Sequence, residues 1–357
     1  MLNKEFLESL TPVEIELVHQ YINMLFKYKI TSETKNYENL ETSVSECPYC
    51  HGKHIVHNGH NKKTNRQRYL CKNIQCGHSF EATTSTFFFH SKVKYQTWLT
   101  FIGCEVVGLS LRNESVKTGV SVTGCFNMRH KLYQAIRDYQ DSQKQEGICE
   151  VDATYTSINL KGWKAKDMPR ISKKRGKHKS DPNHPALRGI SHHKICLISA
   201  IDEHDHILFK VAGLGPESID KYEQYKQYFK SSCTIICDSK KCIKTFADNN
   251  RLKAEVIGPG KYKTENNHSL ADLNQLHQEF SDLIRKKKGI GTRHLQAYID
   301  WLVMTKQMRY KIEAIKMNTE IYLEVMKNYV YWTTDDLCHI PLPIDLNEAY
   351  YEYRNVS

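Results

Sequence analysis

The chain has 357 residues, 40% hydrophobic and 25% charged, which excludes wholesale disorder and leaves room for two or three domains, each with its own core. Lys and Arg outnumber Asp and Glu by 51 to 40, and the net charge of +11 favours polyanionic partners, nucleic acid being the commonest. The opening MLNKEFLESL carries charges where a leader would turn apolar, and no run approaches the roughly 18 apolar residues of a membrane span, so the expectation is a cytoplasmic protein with no membrane partner.

Residues 1 to about 30 read as a helix. Thr11, Pro12 and Glu14 supply an N-cap, a first-turn proline and a capping-box acid, and Val13, Leu17, Tyr21 and Leu25 follow at helical spacing. The polar stretch TSETKNYENLETSVSE then reads as a linker. From 47 to about 90 the segments HIVHNG, RQRYLC and HSFEAT alternate like short strands.

Those strands surround two cysteine pairs. Cys47 and Cys50 form a CxxC turn, and Cys71 with Cys76 forms a looser one, with four residues between its cysteines. Twelve Cys in a reducing compartment stay as thiols, and two such turns supply a tetrahedral Zn²⁺ site; His78 is a possible substitute ligand in the wider knuckle. Cys104, Cys125, Cys149, Cys196, Cys233, Cys237 and Cys242 fall mostly in apolar runs and read as ordinary buried small residues. Lys53, His57, Lys62, Lys63, Arg66 and Arg68 surround the ribbon with charge that suits phosphates.

From Tyr95 to about Tyr139 the pattern becomes helical. LSLRNESVKTGVSVTGCFNMRHKL reads as a helix, a glycine turn at Gly119 and a second helix capped by Ser121 or Thr123. A helix-turn-helix of this kind would present Thr123, Asn127, Arg129, His130 and Lys131 to a major groove; a core helical hairpin with no DNA contact is the competing interpretation.

After Gly147 the period shortens to that of strands. ICEVDATYTSINL, HHKICLISAIDEHDHILFKVAGL with a turn near Glu203–His206, and CTIICD are β-rich, with a helical ESIDKYEQYKQYFK before the last. Three strands, a helix and a fourth strand open a ribonuclease-H-like mixed sheet. Helices are expected for KKCIKTFADNN, LADLNQLHQEFSDLIRKKK and HLQAYIDWLVMTKQMRYKIEAIKM.

Asp152 lies inside the apolar run ICEVDATY, and Asp238 ends TIICDS. A carboxylate within a buried strand is costly unless it is paired or holds a metal, and two on neighbouring strands could share Mg²⁺ or Mn²⁺ in a two-ion phosphodiester site. Singly, each also reads as a solvated strand-end acid. Between the first two strands, KGWKAKDMPRISKKRGKHK carries Lys173, Lys174, Arg175 and Lys177 in a basic run, either a solvated loop or a clamp on a DNA backbone.

In order, CPYC, RYLC, HSFEATTSTFF, SLRNESVKTGVSVTGCFNMRHKL, EVDATY, KKRGKHK, RGIS, CD, LNQLH and GIGTRHLQAYIDW resemble the IS1595-like (ISXO2-like) insertion-sequence transposases over roughly residues 45 to 305. The resemblance implies a transposase zinc ribbon and a DDE-superfamily catalytic domain of ribonuclease-H-like fold. It also implies metal-dependent cleavage at terminal inverted repeats and strand transfer into target DNA. Asp152 and Asp238 match the first two catalytic aspartates, and Asn274 in LNQLH the third position, with His277 and Glu279 as rivals. Ser281 stands where the family carries a basic residue.

The expected organisation is multidomain. It comprises an N-terminal helical segment and linker (1–45), a zinc ribbon (46–91), a helix-turn-helix region (92–146), an α/β ribonuclease-H-like catalytic domain (147–305) and a C-terminal helical extension and tail (306–357). Expected partners are double-stranded DNA, as element ends and target, and further copies of the chain on that DNA, in a nucleoid-associated protein. A decayed or repurposed DNA-binding copy and a repair nuclease are the alternative readings.

Overall fold

The computed structural model describes residues 10–11, 14–16, 44–63, 65–161, 194–311 and 317–345. The chain divides into two compact units, residues 1–126 with 315–331 and residues 127–314 with 332–357.

Near the N-terminus the expected capping box is present: Thr11 N–H donates to Glu14 Oε2 at 2.8 Å, and Glu14 N–H returns to Thr11 Oγ1 at 3.4 Å. The rest of the expected first helix, Leu17 onward, lies outside the described residues.

The first unit holds a three-stranded antiparallel sheet, β1 (Ile55–His60), β2 (Gln67–Cys71) and β3 (Ser79–Glu81). Its buried apolar cluster is Cys47, Tyr69, Cys71 and Phe80, with Val44, Cys50, Ile55 and Cys76 partly buried against it. Helices α1 (Tyr95–Val107) and α2 (Leu111–Thr118) follow. Ser110 caps α2 by accepting from Asn113 N–H, and Gly119 ends it at φ 69°, a left-handed turn that suits glycine. Ser121 accepts from Gly124 N–H as α3 (Val122–Ala135) begins; from Asn127 onward this helix is part of the second unit. A later helix, α8 (Met317–Met326), belongs to the first unit: Tyr322 packs edge-on against Phe87, Phe88 and Tyr95, and Asn318 Nδ2 donates to Leu99 O at 3.4 Å.

The second unit is built on a five-stranded mixed sheet of order β6-β5-β4-β7-β8. Its strands are β4 (Ile148–Ser157), β5 (Lys194–Asp202), β6 (Ile207–Leu214), β7 (Thr234–Asp238) and β8 (Lys253–Ile257). β4, β5 and β6 are antiparallel, while β7 runs parallel to β4 and β8 parallel to β7. β8 was not foreseen: KAEVI is a short, charged edge strand with no apolar run.

β5 shows why the sheet needs helices on both faces. Ile195, Leu197 and Ile201 enter one core with Leu273, Leu276 and Phe280 of α6 (Ala271–Lys286) and Ile299 and Val303 of α7 (Leu295–Lys311). Cys196, Ile198 and Ala200, alternating with them, enter the other. That second core includes Tyr222 of the short α4 (Ile219–Glu223) and Ile243, Phe246 and Ala247 of α5 (Lys241–Asn249). A capped turn, α9 (Thr334–Cys338), follows in this unit. Of the long last helix expected through residue 317, α7 covers Leu295–Lys311 and α8 starts at Met317; residues 312–316 lie outside the described residues. No helix of the described residues is long and apolar enough to cross a membrane.

Candidate functional site

Two places concentrate chemistry, one in each unit. In the first, the Sγ atoms of Cys47, Cys50, Cys71 and Cys76 all lie within 4.8 Å of one another. The pairs Cys47–Cys76 at 3.7 Å and Cys50–Cys71 at 3.6 Å match the roughly 3.8 Å edge of a tetrahedron whose corners are about 2.3 Å from a Zn²⁺ centre.

Local turns aim the thiols. His51 N–H donates to Cys47 O at 2.8 Å to close the first knuckle, and a Cβ on Gly52 would stand 3.2 Å from Cys50 Sγ. The backbone N–H of Gly52 lowers the Cys50 thiol, while Cys71 and Cys76, beside the other thiols, stand above the ordinary thiol value, so one cysteine of the set leans towards the thiolate without a metal. In the wider knuckle Asn73 folds the extra residues back: its Oδ1 accepts from Gln75 N–H at 3.1 Å and its carbonyl from Cys76 and Gly77 N–H. His78 Nδ1 lies 3.3 Å from Cys76 Sγ and its ring stacks on Tyr49, so it flanks the four-cysteine set.

Arg68 on β2 is exposed and donates to Ser79 Oγ, and exposed Arg66 lays its guanidinium 5.3 Å over Phe88. Both line a cavity of about 400 Å³ with Tyr49, Phe88 and His90. On α3 the outcome is mixed. Cys125, Met128, Arg129 and Leu132 recur at helical spacing as its buried stripe; Arg129 is 4% and His130 3% exposed, so neither presents the surface contact expected of it. Thr123 is exposed, and Asn127 and Lys131 are half-buried. Lys173, Lys174, Arg175 and Lys177 lie outside the described residues.

In the second unit Asp152 and Asp238 do come together. Asp152 stands mid-strand on β4, and Asp238 ends β7, its parallel neighbour. Lys240 Nζ is 2.7 Å from Asp152 Oδ1 and 3.4 Å from Asp238 Oδ2. The two carboxylate oxygens are therefore no further apart than the sum of those distances, inside the roughly 8 Å reach of ions spaced about 4 Å from each other.

The same ammonium reaches a third acid, Glu217 Oε1, at 2.7 Å. Sequence reasoning missed both Glu217 and Lys240. Glu217 sits just before α4, its side chain 6% exposed, held by the hydroxyls of Tyr155 and Tyr222. Lys240 is the N-cap of α5, where its own N–H donates to Asp238 Oδ1 at 3.1 Å. Burial opposes its charge, but Asp152 and Glu217 hold its proton more firmly than an ordinary lysine's.

Helix α6 supplies the candidates for a third ligand. His277 Nε2 is 2.7 Å from Ser199 Oγ, and that hydroxyl donates to the backbone carbonyl of Asp152 at 3.0 Å. Since Ser199 spends its proton on Asp152, the ring must donate from Nε2, which leaves Nδ1 as its available lone pair. Burial, and then Lys240, lower His277 to about 4, so it is neutral at pH 7. Asn274 is exposed one turn earlier on the same helix. Glu279 is turned towards α7, where it pairs with Lys306 at 2.9 Å. Glu150, two residues before Asp152, accepts Leu273 N–H at 2.8 Å and is raised by burial to about 7.

No protein-family model and no curated protein matches the chain. Among solved structures, the crystal structure of a pre-cleavage Mos1 transpososome aligns with 68% of this chain and 82% of that chain, at 12% identity. The TM-score is 0.27, below that of a shared fold.

Proposed function

We propose that this chain is a DNA transposase, binding terminal inverted repeats through its ribbon and helix-turn-helix and cutting and joining DNA with divalent cations in its second unit. One observation carries the reading: Asp152 and Asp238, 86 residues apart in sequence, converge with Glu217 on a single cationic group at the carboxyl end of β7. The strand order supports a ribonuclease-H-like domain, with Asp152 on the central strand and Asp238 on its parallel neighbour. The motif series resembling the IS1595-like transposases points the same way.

The donor set fits a hard cation. Asp152, Asp238 and Glu217 offer carboxylate oxygens, with Asn274 or His277 on α6 as a further ligand, and Mg²⁺ or Mn²⁺ bound there would activate the attacking hydroxyl and stabilise the leaving oxygen. The residues' own part is to hold those oxygens in place. β4 fixes Asp152, an Asx turn fixes Asp238, and Tyr155 and Tyr222 orient Glu217. Neutral His277, tied to β5 through Ser199, braces α6 against the strand bearing Asp152.

The four cysteines fit a structural Zn²⁺, with no position left open for water. Arg66 and Arg68, exposed beside that ribbon, are the cations placed to meet phosphates, with Asn127 and Lys131 on α3. Lys173, Lys174, Arg175 and Lys177 complete the proposed DNA contacts. Holding two DNA ends calls for more than one copy of the chain. The domain limits proposed are 46–91 for the ribbon, 92–146 for the helix-turn-helix and 147–305 for catalysis, flanked by 1–45 and 306–357.

The test is an assay with Mg²⁺ or Mn²⁺ on duplexes carrying the inverted repeats that flank the gene. Nicking and joining at the repeat ends are expected. Folded, DNA-bound protein that neither nicks nor joins would make it a DNA-binding protein only, and cutting that ignores the repeats would make it a general nuclease.

A further inference from the structure

Three carboxylates aimed at one point repel one another, and Glu217 is almost withdrawn from water, so something must supply positive charge there before any metal arrives. Lys240 supplies it. An ammonium has three N–H donors, and here there are three acids within reach: Asp152 and Glu217 at 2.7 Å and Asp238 at 3.4 Å. The nitrogen therefore stands at the point on which the proposed metal-binding oxygens converge. Two cations cannot share that point.

We propose that Lys240 is a built-in stand-in for the divalent cation. It keeps Asp152, Glu217 and Asp238 converged in the metal-free protein and is expelled when Mg²⁺ or Mn²⁺ takes their oxygens; this rests on the metal-site reading above. The side chain is suited to leaving. It is 35% exposed, so a way to solvent is open, and it stands at the cap of α5 rather than inside a packed helix. Its backbone is anchored separately, by the N–H bond to Asp238 Oδ1, so the head group can swing out while the loop stays. Lysine suits this better than arginine, whose rigid fork would bind two carboxylates bidentately and release them less readily.

The consequence is competition: the ammonium and the metal exclude each other, so removing the ammonium strengthens metal binding. A lysine that served only to brace the loop would have the opposite effect, since its loss would loosen the site.

Mn²⁺ binding is measured on the full-length, zinc-loaded protein from the spin-resonance signal of free Mn²⁺, for wild type, Lys240→Gln and Asp152→Asn. The expected result is a site abolished by Asp152→Asn and tightened about tenfold or more by Lys240→Gln. A second measurement needs no variant: acetylation of Lys240 in the wild type, followed by mass spectrometry, is slow without metal and speeds up when Mn²⁺ is added.

Equal or weaker Mn²⁺ binding by folded Lys240→Gln would overturn the proposal. So would a Lys240 that stays protected while Mn²⁺ occupies the site that Asp152→Asn removes. If neither wild type nor Lys240→Gln binds Mn²⁺, the metal-site reading itself fails, and the stand-in role with it.

Discussion

The cysteine ribbon and the carboxylate sheet gather their ligands by opposite means. In the ribbon, four ligands come from two local turns within 30 residues, and the supporting core is two aromatic rings, Val44, Ile55 and the ligands themselves. So small a cluster cannot fold on burial alone, and the proposed zinc would supply the missing free energy. In the sheet, a large two-sided core supports the strands that carry the acids to one place. Under the proposed reading, one site is made by its ion and the other is held ready for it by Lys240.

The largest effect that could break this contrast is loss of zinc. Chelation, or Cys47→Ser, is expected to remove on the order of 10 kcal/mol of binding free energy, melting β1–β3 and abolishing DNA binding. The carboxylate sheet, whose cores share no residue with the ribbon's, keeps its own unfolding transition in calorimetry. A ribbon that stays folded without metal would remove the distinction.

Next in size are the acids. Asp152→Asn and Asp238→Asn are each expected to lower cleavage by about a thousandfold or more while DNA binding and melting temperature hold. Glu217→Gln keeps the shape and the tyrosine contacts, so a loss of about 10- to 100-fold in Mn²⁺ affinity is expected, read by titration. If Glu217→Gln binds Mn²⁺ as wild type does, the third acid is only a partner of Lys240.

What sequence alone revealed follows the same contrast. The CxxC spacing, the Gly119 turn and a cap at Ser121 or Thr123 are local, so each was readable where it stands, and the structure gives the cap to Ser121. Asp152 and Asp238 were readable because an acid is conspicuous in an apolar strand. Glu217 and Lys240 were not: an acid before a short helix and a lysine at a helix cap look like ordinary surface residues, and only the folded sheet brings them together. Arg129 shows the reverse failure. Its basic character suggested a DNA contact, but its spacing from Cys125 and Leu132 already placed it on the buried stripe.

The smallest expected effect concerns the sheet's cover. Asp300 on α7 is fully buried, and burial raises its carboxyl to about 7, although Gln140 and Gln296 donate to it. Its folded value lies above the unfolded one, so it favours folding below about pH 4 and that contribution is lost as pH rises towards 7. Asp300→Asn should flatten this fall, by on the order of 1–2 kcal/mol between pH 5 and 7 in urea melts. An unchanged slope would mean that another raised acid, such as the half-buried Glu150, sets it.

The most direct test of the central claim is an anomalous-scattering map from crystals soaked in Mn²⁺. A peak within about 2–2.5 Å of both an Asp152 and an Asp238 oxygen, with the Lys240 ammonium moved away, is the expected result. Zinc bound among the four cysteines, with no Mn²⁺ between the two aspartates and Lys240 still in place, would contradict it.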